Sequence, residues 1–242
     1  LQEEMEQVAQ ANKLHHLVSD VPPLSFGTQK QMGAKNILKC AEHFEKSGID
    51  RHTAFLYATI LNSSSRYTLF ASPDEAPEAY ALAQKVSTAL ETAPPKAIFF
   101  SYDATLSSQA SGMHVILAYN QIKQIEDPTE QEALIAHEVE HLAQEHSRKH
   151  IELLARAATT QHELMHATRE YELEADAGAA RVSGSEAIIE VLKKIVVPCA
   201  QEGENPSDEW LAMAESHSTH PCRETRIRAI EKLREQKFSI NQ

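Results

Sequence analysis

The sequence predicts an α+β fold, predominantly helical, with a small β-sheet beside one central helix and an added helical segment at the N-terminus. Three observations carry this reading. Apolar residues recur at helical intervals through most of the 242 residues. Two short runs, Ala97-Ile98-Phe99-Phe100 and Met113 to Tyr119, have the composition of strands. The central helix follows them, from Ala133 to His146, and reads ALIAHEVEHLAQEH.

Leu1 to Val18 places Met5, Val8, Leu14, Leu17 and Val18 among Glu and Gln as an amphipathic helix, and Pro22-Pro23 ends it. Thr28 to Lys46 is a second helical run, closed by Ser47-Gly48. Asp50 to Leu61 is a third, broken by Asn62-Ser63-Ser64-Ser65. His15, His16, His43 and His52 share no spacing that suggests a joint site. Residues 1–70 are therefore expected to form a helical segment that buttresses the rest or meets a partner, and residues 71–242 to form the main domain.

Ala76 to Thr92 is an alanine-rich helix suited to pack on the sheet, and it ends before Pro94-Pro95. Asp103 to Gly112, between the two strand runs, is polar and turn-rich. The strand just before the central helix could expose an edge to solvent; the alternative is an internal pair that only supports the helix. His114 reads as a strand side chain. Asp127-Pro128-Thr129-Glu130 is a helix start, capped by Asp127 or Thr129. Beyond Gly178, Ser185 to Val197 is amphipathic and stopped by Pro198. A loop, a short apolar stretch from Trp210 to Ala214, a loop with His217 and His220, and a basic helix from Arg223 to Lys237 complete the chain.

The centre of the organising stretch is His137-Glu138-Val139-Glu140-His141, an HExxH sequence. Residues four apart lie one above the other on a helix, so both imidazoles can reach one metal ion, and Glu138 can reach a water on it. A second copy, His162-Glu163-Leu164-Met165-His166, competes with the first. A third ligand decides between them. The acids after the second copy, Glu170 to Asp176, continue its own helix and are badly placed for it. For the first copy they are well placed if the chain reverses near Leu153 to Thr160, because residues equidistant from a turn meet across a hairpin. That brings Glu172 opposite His137 and His141. His146, His150, His162 and His166 are expected on solvated or packing helix surface.

HEVEH, followed by Glu172-Leu173-Glu174-Ala175-Asp176-Ala177-Gly178 and then by Ser218-Thr219-His220-Pro221 with Arg226 beyond, resembles the HtpX and CAAX-prenyl-protease family of zinc metallopeptidases. The resemblance spans roughly Pro94 to Leu233. It implies a zincin-like catalytic domain holding one zinc per chain on His137, His141 and Glu172, with Glu138 as general base. It also implies that Asp176 supports the site from behind the ligands. By the same resemblance His220 is expected to approach the metal as an oxyanion donor or as an occupant of its open position, with Arg226 fixing that segment. His217 could substitute for His220, and Tyr171 is a second candidate donor. The activity implied is endopeptidase hydrolysis of proteins or peptides, held as an added β-strand on an exposed edge, in protein quality control. A latent, zinc-bound member acting as a protein-binding or chaperone-like module is the alternative.

The net charge of -12 argues against a nucleic-acid partner. Cys40, Cys199 and Cys222 form no CxxC and permit at most one intrachain disulfide. No window approaches 18 uncharged apolar residues, so no transmembrane helix is expected. The chain begins at Leu1, which leaves two expectations for its compartment: periplasmic or membrane-associated if a signal or anchor has been removed, cytoplasmic otherwise.

Overall fold

Ala97 and Phe99 point to one side of their strand and Ile98 and Phe100 to the other, and all four are buried. Such a strand needs a cover on each face. The computed structural model, which describes residues 26–63, 68–101, 107–156, 158–201 and 204–240, supplies both covers. The helix expected over Leu1 to Val18 lies outside the described residues.

Helices α1 (Phe26–Lys46) and α2 (Arg51–Ser63) pack on the face carrying Phe99 and Ile116, through Cys40, Phe44, Ala54 and Ala58. The next elements are β1 (Thr68–Ala71), α3 (Pro77–Ala89), β2 (Ala97–Ser101), β3 (Gln109–Ser111), β4 (His114–Ala118) and the single turn α4 (Tyr119–Ile122). The strands form one sheet in the order β1-β2-β4-β3. β1 and β3 run antiparallel to their neighbours, while β2 and β4 are parallel, with Ala97 opposite His114 and Ser101 opposite Ala118. Ile98, Phe100, Val115 and Leu117 face the opposite layer, where α3 contributes Ala79, Ala83 and Val86.

Two strands go beyond the sequence reading. β1 follows the serine-rich break, and β3 lies inside the stretch read as turn-rich. β4, the strand expected to offer an edge beside the central helix, is paired on both sides. The edge on that side belongs to β3, which reaches β4 through a turn at Gly112, where φ is +60°. Glycine adopts that conformation without steric cost.

The central helix, α5 (Pro128–Ala143), starts where Asp127 accepts hydrogen bonds from the backbone N–H of Thr129 and Glu130, with Pro128 in its first turn. It ends at Ala143, and Glu145, a left-handed residue with φ 53° and ψ 36°, separates it from α6 (His146–Ala155). The chain reverses inside the interval read as the turn. α7 (Gln161–Ser183) then begins with a capping box, Thr160 and Glu163 bonding each other's backbone N–H. α7 returns along α5 with Ala175, Gly178 and Ala179 buried. A Cβ on Gly178 would stand 2.5 Å from Glu140 side-chain atoms, so any larger residue there would require Glu140 to shift. α8 (Ser185–Ile195), α9 (Asp208–Glu215) and α10 (Arg223–Ile240) close the fold, and Ile188, Leu192 and Ile230 join the core. A disulfide between Cys199 and Cys222 ties the segment after α8 to the start of α10. No helix among the described residues is long and apolar enough to cross a membrane.

Candidate metal centre

The α5–α7 pairing places Glu172 against the two histidines one turn apart on α5. His137 Nε2 and His141 Nε2 are 3.2 Å apart. Each lies 3.6 Å from an oxygen of Glu172. All three residues are largely shielded from solvent. Ligands about 2.0–2.1 Å from a tetrahedral zinc stand roughly 3.3 Å from one another, close to the separation of the two nitrogens and to that of each nitrogen from its own Glu172 oxygen, Oε2 for His137 and Oε1 for His141. Charge points the same way. Glu138, Glu172 and Asp176 are buried with one guanidinium, Arg226, among them; a divalent cation would balance the excess negative charge. Among the described residues, only one other set of potential ligands converges, Cys199, Cys222 and Glu224, and its sulfurs are joined in the disulfide.

Asp176, one turn beyond Glu172 on α7, is wholly buried. Its Oδ1 is 3.0 Å from His137 Nδ1, off the line of a regular hydrogen bond. Arg226, from α10, grips Asp176 with two bonds, Nε to Oδ2 at 2.7 Å and Nη2 to Oδ1 at 2.6 Å. Its Nη1 is 3.1 Å from Glu172. Burial opposes ionisation of both carboxyls, but Arg226 and His137 outweigh it and hold them well below the usual carboxylate range. Glu138 makes no such pair. Desolvation leads the effects on it and, with Glu172 and Asp176 nearby, overrides His137 and Arg226 to push its carboxyl up to about 7.

A cleft of about 510 Å³ opens over this group. Its floor is apolar, from Leu134, Ile188, Val191 and Leu192, and Ser107 to Ala110 form the wall leading into β3. Glu138 and His220 both line it. His220 Nε2 stands 3.8 Å from Glu172, on an exposed side chain. The loop that carries it is anchored by Arg169, whose Nη1 donates to the carbonyls of Glu215 at 3.0 Å and Ser218 at 2.7 Å.

Other histidines fall apart from this group. His162 and His166 are exposed, and Glu163 serves as a helix cap. His217 is exposed and does not line the cleft. Tyr171 is not among the residues lining it and is stacked on the ring of His146 with centroids 4.4 Å apart. His146 corrects the sequence reading. Expected on solvated surface, it is 3 % exposed and contacts His141 and Glu174. Periodicity could not reveal it: on an unbroken helix a residue five positions on projects about 140° away. The signals overlooked were a histidine just past the helix end and an aromatic and an acid, Tyr171 and Glu174, spaced to receive it.

The family model of peptidase family M48 matches residues 153–234. That span contains Glu172, Asp176, His220 and Arg226 and begins after His141, so the match and the HExxH pair are independent. It supports a protease function. No curated protein matches the chain.

Proposed function

We propose that this chain is a zinc-dependent endopeptidase of the HtpX and CAAX-prenyl-protease kind, acting in protein quality control. The observation that carries the reading is the convergence of His137 Nε2, His141 Nε2 and the Glu172 carboxylate, the two nitrogens 3.2 Å apart and each 3.6 Å from a different Glu172 oxygen, with Glu138 beside them in the cleft. Zinc on those three residues would supply Lewis acidity and lower the pKa of a coordinated water to roughly 7.

The chain's own groups divide the remaining work. A Glu138 carboxylate oxygen takes the proton of the attacking water and passes it to the leaving amine, a task for which a carboxyl near pH 7 is suited. His220 Nε2 donates to the developing oxyanion. Asp176 orients His137 through Nδ1, and Arg226 fixes both Asp176 and Glu172. The substrate lies extended along Ser107 to Ala110 and pairs with the β3 edge through main-chain hydrogen bonds. The latent alternative draws on one contact, the approach of His220 to Glu172, which would allow its imidazole to close the site as a fourth ligand.

Zinc content after dialysis, measured on the parent, His137→Ala and His162→Ala, is the first test. One equivalent is expected in the parent and in His162→Ala, and none in His137→Ala. Glu138→Gln should keep its zinc and cleave denatured casein about 10²–10⁴-fold more slowly than the parent. A Gln variant as fast as the parent would remove Glu138 from the mechanism. A zinc-loaded parent that cuts no unfolded protein would favour the latent reading.

A further inference from the structure

His141 and His137 are supported from behind in different ways, and nothing in the reading above uses the support of His141. His141 Nδ1 is 2.8 Å from His146 Nδ1, and His146 Nε2 is 2.9 Å from Glu174 Oε2. Each contact needs one proton. If His141 Nε2 keeps its lone pair for a metal, its Nδ1 carries the proton and donates to His146 Nδ1. His146 then carries its own proton on Nε2, where the Glu174 carboxylate accepts it. The reverse order would set an unprotonated His146 Nε2 against a carboxylate oxygen at 2.9 Å, lone pair to lone pair. Glu174 thus selects the tautomer of His146, and His146 selects that of His141.

We infer that His146 is the positioning residue for the ligand imidazole of His141, and that Glu174 and Tyr171 hold His146 in place. Local structure supports a dedicated arrangement. Glu145 occupies the left-handed region, uncommon outside glycine, and this turn sends the His146 ring back toward His141. The ring is then fixed by its stack on Tyr171, with planes 14° apart. Tyr171 and Glu174 sit one turn apart on α7, on either side of Glu172, so one helix supplies the third ligand and steadies the support of the second.

The inference rests on the metal-centre reading, and zinc affinity of the full chain separates the two. Zinc competition against a chromophoric chelator would be run on the parent, His146→Leu, His146→Asn and Glu174→Ala. Thermal melting of each metal-free chain would check folding. His146→Leu, which leaves the His141 Nδ1 proton without an acceptor, should bind zinc about 10–100-fold more weakly. His146→Asn, whose carbonyl can stand where Nδ1 stood, should recover most of that loss, which a purely packing role would not allow. Glu174→Ala changes a half-exposed side chain and should weaken binding several-fold, giving a result even if His146→Leu fails to fold. Parent-like affinity in His146→Leu or Glu174→Ala, or Asn as weak as Leu, would overturn the relay alone. A parent that binds no zinc would overturn the metal centre and the relay together.

Discussion

His114 sits in β4 with its ring 5 % exposed and its Nδ1 2.9 Å from the hydroxyl of Tyr57. Desolvation lowers its pKa from 6.5 to about 4. Between those values the unfolded chain binds a proton that the folded chain refuses, so stability is full above about pH 6.5 and falls as the pH drops toward 4. His114→Gln cannot charge. Urea unfolding at pH 7 and pH 4.5 should show the parent losing roughly 2–3 kcal/mol more than this variant over that interval; equal losses would remove His114 as the cause. At the same scale, His137, Glu138, His141 and Glu172 were legible, because helical spacing and a hairpin midpoint are both arithmetic on the sequence. His146 was not, since a single left-handed residue at Glu145 cancels the periodicity on which that arithmetic depends.

Between α5 and α7 the contact is made by small residues, Ala136 and Val139 on one side and Ala175, Gly178 and Ala179 on the other, all buried. Their size sets how near Glu172 comes to the two histidines. Gly178→Ala would put a methyl group into the Glu140 side chain and force the helices apart. A loss of about 1–3 kcal/mol is expected in denaturant unfolding. An unchanged midpoint would mean that the Glu140 side chain can swing clear. The start of α5 was readable in Asp127-Pro128, since caps are local chemistry, while the part of Glu163 in the Thr160 cap stood hidden in the second HExxH copy. β1 and β3 were not, because three or four residues cannot display an alternation; β2 and β4 impose the extended form on them.

Across the whole molecule, the site draws on α5, α7 and α10, and the disulfide fastens the last of these to the segment after α8. Cys199 and Cys222 are 23 residues apart, and closing a loop of that size restricts the unfolded chain by about 3 kcal/mol. Reduction should therefore lower the melting temperature by roughly 6 °C in a scan with and without a phosphine reductant. A shift under about 2 °C would show that packing holds α10 without it. The helical α+β class was evident from periodicity. The pairing was not, because three cysteines offer three pairings and only the packing of α10 selects one.

The β3 edge is three residues long, and one of its carbonyls, that of Ala110, already accepts from Ser147. On the proposed reading, so short a ledge can offer a client few main-chain bonds, each worth only about 1 kcal/mol net. Such a grip is weak and nearly blind to side chains. It distinguishes instead between a backbone whose N–H and C=O groups are free and one whose groups are already paired. Selection would then rest on whether a client is unfolded, more than on what its sequence spells, and cleaved ends would leave quickly.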